Sequence, residues 1–250
     1  MTETETGTGT GTGTGTVRVW IGPVDVPADE EARCRETLGP GERASAATLV
    51  HEPDRRRFTV AHGALRLLAA RELGVPPDAL TWTTGRHGKP ELTPPWSGWH
   101  TSLSHSGGLI AVAVSTGRPV GVDVQQVTAN LDVTGMSGRF FPPGEAEYVT
   151  AGADAGARAD RFARLWVRKE AVVKAAGGRL WPNLRTAVHR RGLVDCADPA
   201  GRYRVTAIAA PAGYRAAVAL AGAAHYSLEV TDWPAAARPR AAAASGPVSL

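Results

Sequence analysis

LWVRKEAVVKAAG, residues 165–177, is the stretch on which the reading of this chain turns. It reads as the end of an amphipathic helix over 157–176, closed by glycine. At about 100° per residue, Phe162, Leu165, Trp166, Val173 and Ala176 share one apolar stripe, and Lys169 falls in its middle. A lysine there must snorkel to water or meet a carboxylate or phosphate, because an unpaired buried charge is costly. Glu170 lies at the edge of the stripe, one turn after Trp166, and Lys174 lies one turn beyond Glu170. The helix therefore presents an acid and an amine at i, i+4 spacing. The same spacing also describes an ordinary surface salt bridge, so this helix alone leaves both readings open.

Working outward, GVDVQQV (121–127) has the alternation of a strand, with Asp123 and Gln125 on one face and Val122 and Val124 on the other. An aspartate on an otherwise apolar strand needs a partner. A hard cation with oxygen ligands would serve, as would a turn capped after Gly121. SLSHSGGLIAVAVS (102–115) places small hydroxyls, His105 and two glycines before an apolar strand. Such a loop can offer N–H groups and an imidazole to a phosphate, or simply turn a hairpin. GRHGKPEL (85–92) puts Lys89 in a glycine-rich turn, as a phosphate contact or a plain surface turn. A G-x-S-x-G nucleophile elbow is absent, and no triad order supports a hydrolase.

These segments sit between two low-complexity ends: a Thr/Gly leader at 1–16 and an Ala-rich tail at 235–250, both expected to be disordered. The rest reads as two halves, 17–121 and 122–234. The first half carries a strand at 17–21, helices at 42–49 and 54–73, and strands at 80–83, 99–103, 109–115 and 120–124. The second carries helices at 131–140, 144–150 and 157–176, then strands at 186–189, 202–207, 214–220 and 225–230. Both read as helices followed by a mostly antiparallel meander, with a site expected at the seam.

A content of 43% hydrophobic and 21% charged residues suits a chain with a buried core, and no apolar run approaches the ~20 residues of a membrane span. No signal peptide is legible, so the expected location is cytoplasmic. Cys34 and Cys196 fit no zinc spacing and are expected to be free thiols. A net charge of +4 suits an anionic ligand or an acidic partner.

In their joint order, GRHGKPEL, SLSHSGG, GVDVQ, RFFPPGEAEYV and LWVRKEAVVKAAGG resemble the Sfp-type 4′-phosphopantetheinyl transferases, with weaker similarity in DRRRFTVAHGALR (54–66). The resemblance implies an α/β (α+β) pseudo-dimer of two similar halves, each a small mostly antiparallel sheet packed with helices, with coenzyme A between them. It implies transfer of phosphopantetheine to a serine of an apo acyl or peptidyl carrier protein of a fatty-acid, polyketide or nonribosomal peptide synthase. Mg²⁺ would be the cofactor, held by Asp123, Gln125 and Glu170, and Gln125 is a departure because many relatives carry Glu there. Glu170, Lys174 and Trp166 would be catalytic. Arg57, Lys89, Ser104, His105, Lys169 and Lys174 would hold the coenzyme. Met136, Phe140 and Phe141 are candidates for carrier docking, although a core position suits at least one of the phenylalanines.

The expected partners include neither nucleic acid nor membrane, and the expected state is a monomer. Three rival readings compete. A non-catalytic coenzyme A-binding relative is suggested by Gln125. A basic nucleic-acid binder is suggested by the Arg55–Arg57 run but lacks any zinc finger, RNP motif or clear helix-turn-helix. A phosphodiesterase that cleaves coenzyme A with water could use the same residues.

Overall fold

The computed structural model describes residues 15–189 and 192–235, so most of the expected leader (1–14) and tail (236–250) lies outside the described residues. In chain order the elements are β1 (Thr16–Pro23), α1 (Ala28–Thr37), α2 (Pro40–Thr48), α3 (Glu52–Leu73), β2 (Trp82–Thr84), β3 (Pro90–Leu92), β4 (Trp99–Ser106), β5 (Leu109–Thr116) and β6 (Val120–Gln126). Then follow α4 (Val133–Phe140), α5 (Pro143–Thr150), α6 (Ala155–Ala176), α7 (Leu180–Asn183), β7 (Leu193–Ala197), β8 (Ala200–Ile208), β9 (Tyr214–Ala221) and β10 (Ser227–Asp232).

Alternation along the strands builds the layers. The first sheet has the order β10-β1-β5-β4 and the second β6-β9-β8-β7. On β1, Val17, Val19 and Ile21 cluster with Val120, Val122, Val124, Val218 and Leu220 of the second sheet. The opposite face, with Trp20, Ile110, Val112 and Val114, packs on Val60, Ala64, Leu65 and Leu68 of α3. In the second sheet, Ala217 and Ala219 face Leu165, Val167, Ala171 and Val172 of α6. The two sheets thus lie face to face, each covered outside by a long helix. Helices α3 and α6 both run 22 residues and both end on a left-handed glycine, Gly74 (φ 69°) and Gly177 (φ 62°). The expected α/β architecture of two small, mostly antiparallel sheets packed with helices is the one observed.

Three local expectations are corrected. Residues 186–189 form no strand: the N–H groups of Val188 and His189 both donate to Glu145 Oε1 (2.5 and 2.9 Å), and that of Thr186 turns back to Asn183 O (2.9 Å). The strand beside β8 is instead β7, antiparallel from Leu193↔Arg204 to Ala197↔Ala200. The closing strand, expected in the second meander, is β10, which pairs parallel with β1 (Val17↔Leu228, Val19↔Val230) and so belongs to the first sheet. Helix α1 had no counterpart in the sequence reading; it is short and rich in charged residues (ADEEARCRET), and it is anchored to α3 through Cys34, fully buried beside Gly63.

Candidate active site

The edges of the two sheets meet where β4 runs beside β6. The hydroxyls of alternate residues on β4 accept hydrogen bonds from the backbone of β6: Ser102 from Val122 N (3.0 Å), Ser104 from Val124 N (3.3 Å) and Ser106 from Gln126 N (3.1 Å). Side chains thus satisfy an edge that would otherwise expose backbone donors. Above this seam lies a cleft of about 740 Å³.

Strand alternation turns Gly121, Asp123 and Gln125 away from the sheet-to-sheet core and toward α6. Gly121 lets the helix come close, since a Cβ there would collide with Ala171 O and Ala175 N. One dyad on, Asp123 meets Lys174, whose Nζ donates to Asp123 Oδ1 at 2.7 Å. Ser104 Oγ donates to the same oxygen, also at 2.7 Å. Asp123 is 4% exposed, and its Oδ2 is buried with no hydrogen-bond partner. Burial raises the Asp123 carboxyl above the usual carboxylate range, against the pull of Lys174 and Ser104. Glu170 lines the same cleft, and its carboxyl is pushed up to about 7, first by burial, then by the charge of Asp123, with Lys174 opposing.

Trp166, one turn before Glu170, contributes an apolar wall and stacks on Phe162 (5.5 Å). Gln125 also lines the cleft, its Nε2 donating to Gln126 O (3.1 Å). His105 opens onto the cleft and is held below its usual range, chiefly by partial burial and then by the charges of Arg57, Lys174 and His62. Lys89 reaches across the seam, donating to Val120 O (3.2 Å) at the start of β6 and to Ala175 O (2.9 Å) of α6. An ammonium has three donors, so one remains for the cleft. Burial draws the pKa of Lys89 down to about 8.

Three expected coenzyme contacts are placed differently. Lys169 is absent from the cleft: it is 1% exposed, paired with Glu145 Oε2 at 2.6 Å, and donates to Leu184 O (2.8 Å) and Thr186 O (2.5 Å). The partner demanded by a lysine on an apolar stripe is thus a carboxylate, which gives Glu145 its role, and the ammonium also sits over Phe141 (4.6 Å). Arg57 is paired with Asp54 one turn earlier and does not line the cleft, although its charge reaches His105. Ser104 lines the cleft, yet its hydroxyl is committed to Asp123 and Val124.

Of the expected docking residues, Phe141 is buried (2% exposed) and stacked on Phe162, while Phe140 lies against the exposed Trp181 (5.3 Å). Cleft residues the sequence reading missed include His62 and His87. His62 falls one turn after Phe58, on which it stacks at 4.0 Å, and that spacing on a basic helix was the available signal. His87 sits in the GRHGKP turn with φ 54° and accepts from Arg179 Nε at 3.3 Å, a contact between the halves that no spacing reveals.

Among the described residues, no group of three or more His, Cys, Asp or Glu side chains is placed to hold a metal ion. Two carboxylates, one with an unpartnered buried oxygen, and a nearby amide oxygen still fit a hard cation such as Mg²⁺, which typically takes one or two protein carboxylates and completes its shell with phosphate and water.

Fold and cleft together define an α/β protein with paired acids and a set of cations at the seam of two sheets, suited to a phosphate-bearing ligand. The family model for the 4′-phosphopantetheinyl transferase superfamily matches residues 119–234. The chain is 34% identical over 163 residues to the 4′-phosphopantetheinyl transferase HetI of Nostoc sp. (strain PCC 7120), a match covering 64% of this chain and 68% of the relative. It is 32% identical over 168 residues to the putative 4′-phosphopantetheinyl transferase slr0495 of Synechocystis sp., covering 64% of each. To a 4′-phosphopantetheinyl transferase of Bacillus subtilis it is 29% identical over 151 residues, covering 60% of this chain and 65% of the relative. The matches thus span about two thirds of these relatives' lengths. The chain belongs to the 4′-phosphopantetheinyl transferase family.

Proposed function

We propose that this chain transfers the 4′-phosphopantetheine group of coenzyme A to a serine of an apo acyl or peptidyl carrier protein and releases adenosine 3′,5′-bisphosphate. The observation that carries the proposal is the meeting of Asp123, with its unpartnered oxygen, Glu170 and Lys174 in one cleft at the seam. Family membership and the relatives' names support the reaction.

Asp123, Glu170 and the amide oxygen of Gln125 would hold Mg²⁺, which when bound neutralises charge on the coenzyme's pyrophosphate. Glu170 is the base. Burial and the neighbouring Asp123 raise this carboxyl to about 7 in the metal-free fold, which makes it more basic than a solvated carboxylate and able to take the serine proton as the oxygen attacks. In that step the serine oxygen bonds to the phosphorus that bears pantetheine, and the bond from that phosphorus to the bridging oxygen breaks. The electron pair leaves with adenosine 3′,5′-bisphosphate, toward whose new phosphate oxygen Lys174 donates. His105 and the remaining donor of Lys89 attract the anionic coenzyme, and Trp166 keeps water from the reacting end. In this reading 17–121 is chiefly the coenzyme-binding half and 122–234 the catalytic half, and the protein acts as a cytoplasmic monomer. Phe140 and Met136 meet the carrier.

Intact-mass analysis of an apo acyl and an apo peptidyl carrier, incubated with coenzyme A and Mg²⁺, tests the proposal. The wild type adds one phosphopantetheine, and Glu170→Ala adds none. Gln125→Glu lowers the Mg²⁺ concentration needed for half-maximal rate, because a carboxylate replaces a neutral ligand. No mass gain on either carrier, with coenzyme A intact, would overturn the assignment for these carriers.

A further inference from the structure

We infer that Ser104 is a positioning residue whose hydroxyl, locked by the β4–β6 seam, divides the two oxygens of Asp123 so that Oδ2 alone is presented to a divalent cation. The inference rests on the metal reading given above. It departs from the expectation that Ser104 contacts the coenzyme.

A serine hydroxyl has one proton to give and can accept in return. Here the accepting side is occupied by Val124 N at 3.3 Å, the amide immediately after Asp123 on the strand. That fixes the direction of the hydroxyl, and its proton goes to Asp123 Oδ1 at 2.7 Å. Lys174 Nζ donates to the same Oδ1, also at 2.7 Å. Two donors converge on one carboxylate oxygen, and the other, buried, has none. A buried carboxylate oxygen without a donor is costly, and of the carboxylate oxygens in that state among the described residues, this one alone belongs to a residue that lines the cleft.

The division is rigid because it is built from strands. Ser104 is 6% exposed and its neighbours along β4, Ser102 and Ser106, hold the next N–H groups of β6 on either side, so the rotation of the Ser104 hydroxyl is set by the register of the seam. Ser106 repeats the seam bond without touching Asp123, which separates holding the halves together from orienting the carboxylate. Partners of this kind, one step removed from a metal ligand, typically alter affinity about 10- to 100-fold when lost.

The test is Mn²⁺ binding by the full chain, read as free Mn²⁺ by electron paramagnetic resonance, for wild type, Asp123→Asn, Ser104→Ala, Ser104→Thr and Ser106→Ala, with folding checked by circular dichroism and thermal melting. Ser104→Ala is expected to weaken Mn²⁺ about tenfold and Ser104→Thr, which keeps the hydroxyl, to restore most of that affinity. Ser106→Ala is expected to lower the melting temperature and leave Mn²⁺ affinity at the wild-type value. If Ser104→Ala is too unstable to measure, Ser104→Thr against Ser104→Cys, each first checked for folding by circular dichroism, takes its place, with the thiol variant expected to bind more weakly. Wild-type affinity in Ser104→Ala, alongside weakened binding in Asp123→Asn, overturns the positioning role and leaves the metal reading standing. Equal binding by wild type and Asp123→Asn, or none by either, overturns both.

Discussion

Glu170 shows how one carboxyl can serve the reaction at the expense of stability. Its ordinary pKa of 4.5 rises to about 7 in the fold through burial and the neighbouring Asp123. Between these values the folded chain holds a proton that the unfolded chain has released. The favourable contribution of this group is therefore complete below the unfolded value and is lost as pH rises through the folded one. Glu170→Gln removes the penalty, so urea unfolding at pH 8 should find the variant more stable by about 1–2 kcal/mol, discounted for partial exposure, and the gap should close near pH 4.5. The same variant should show no transfer. In the wild type, kcat/KM should fall in the acid range as the base becomes protonated, with a midpoint that moves lower as Mg²⁺ is raised, because a bound cation favours the carboxylate. This residue was legible in the sequence because acid and amine at i, i+4 on a strong amphipathic stripe put both near the buried face. Its neighbour Lys169 was legible only as a charge in need of a partner. Whether that partner was a ligand's phosphate or Glu145, 24 residues earlier, depended on how α5 packs, and one-dimensional spacing carries no such information.

At the level of elements, α6 is held to the second half by two different devices. The first is close approach to β6 at Gly121. Gly121→Ala should push the helix away from the strand, separate Lys174 and Glu170 from Asp123, and lower kcat at least tenfold while secondary structure by circular dichroism is kept, since ~1 Å of misplacement can cost 10²-fold. The second device is the buried pair of Lys169 with Glu145, which also gathers the N–H groups of Val188 and His189. Lys169→Met should destabilise the protein by about 3–5 kcal/mol, because it strands a buried carboxylate. Adding Glu145→Gln should recover part of that loss in a double-mutant cycle, as the amide oxygen still accepts the two N–H groups. The two long helices could be read directly, α6 from its apolar stripe and α3 from its length, and both down to their closing glycines. The false strand at 186–189 and the missed β7 have one cause. The segment 186–189 looks β-prone, but two of its backbone donors are claimed by a side chain from a distant helix, and local pattern cannot register that competition.

For the molecule as a whole, the first sheet is completed by the last strand. Trp233, just after β10, is 2% exposed and packs with Trp20, Val26 and Val60 under α3. Deleting residues 227–235 should therefore unfold the first half as well as shorten the chain, because it removes both the parallel partner of β1 and a buried tryptophan worth about 3–5 kcal/mol. Thermal melting and loss of coenzyme A binding would report it, and a deletion variant that melts and binds like the full chain would contradict this account. The two-halves reading taken from the sequence divides the chain by order, whereas the sheet divides it by contact. Parallel pairing of 16–21 with 227–232 has no short turn to announce it.

That pairing also sets an order of events during synthesis on the ribosome. The strand at 16–21 must wait for its outer neighbour until more than 200 further residues have been translated. A nascent chain stalled before 227 leaves one flank of β1 unclaimed, open to trigger-factor-like chaperones or to strand exchange with a neighbouring polypeptide. Competence for coenzyme binding is thus expected to appear abruptly, once residues 227–232 have emerged, instead of growing half by half.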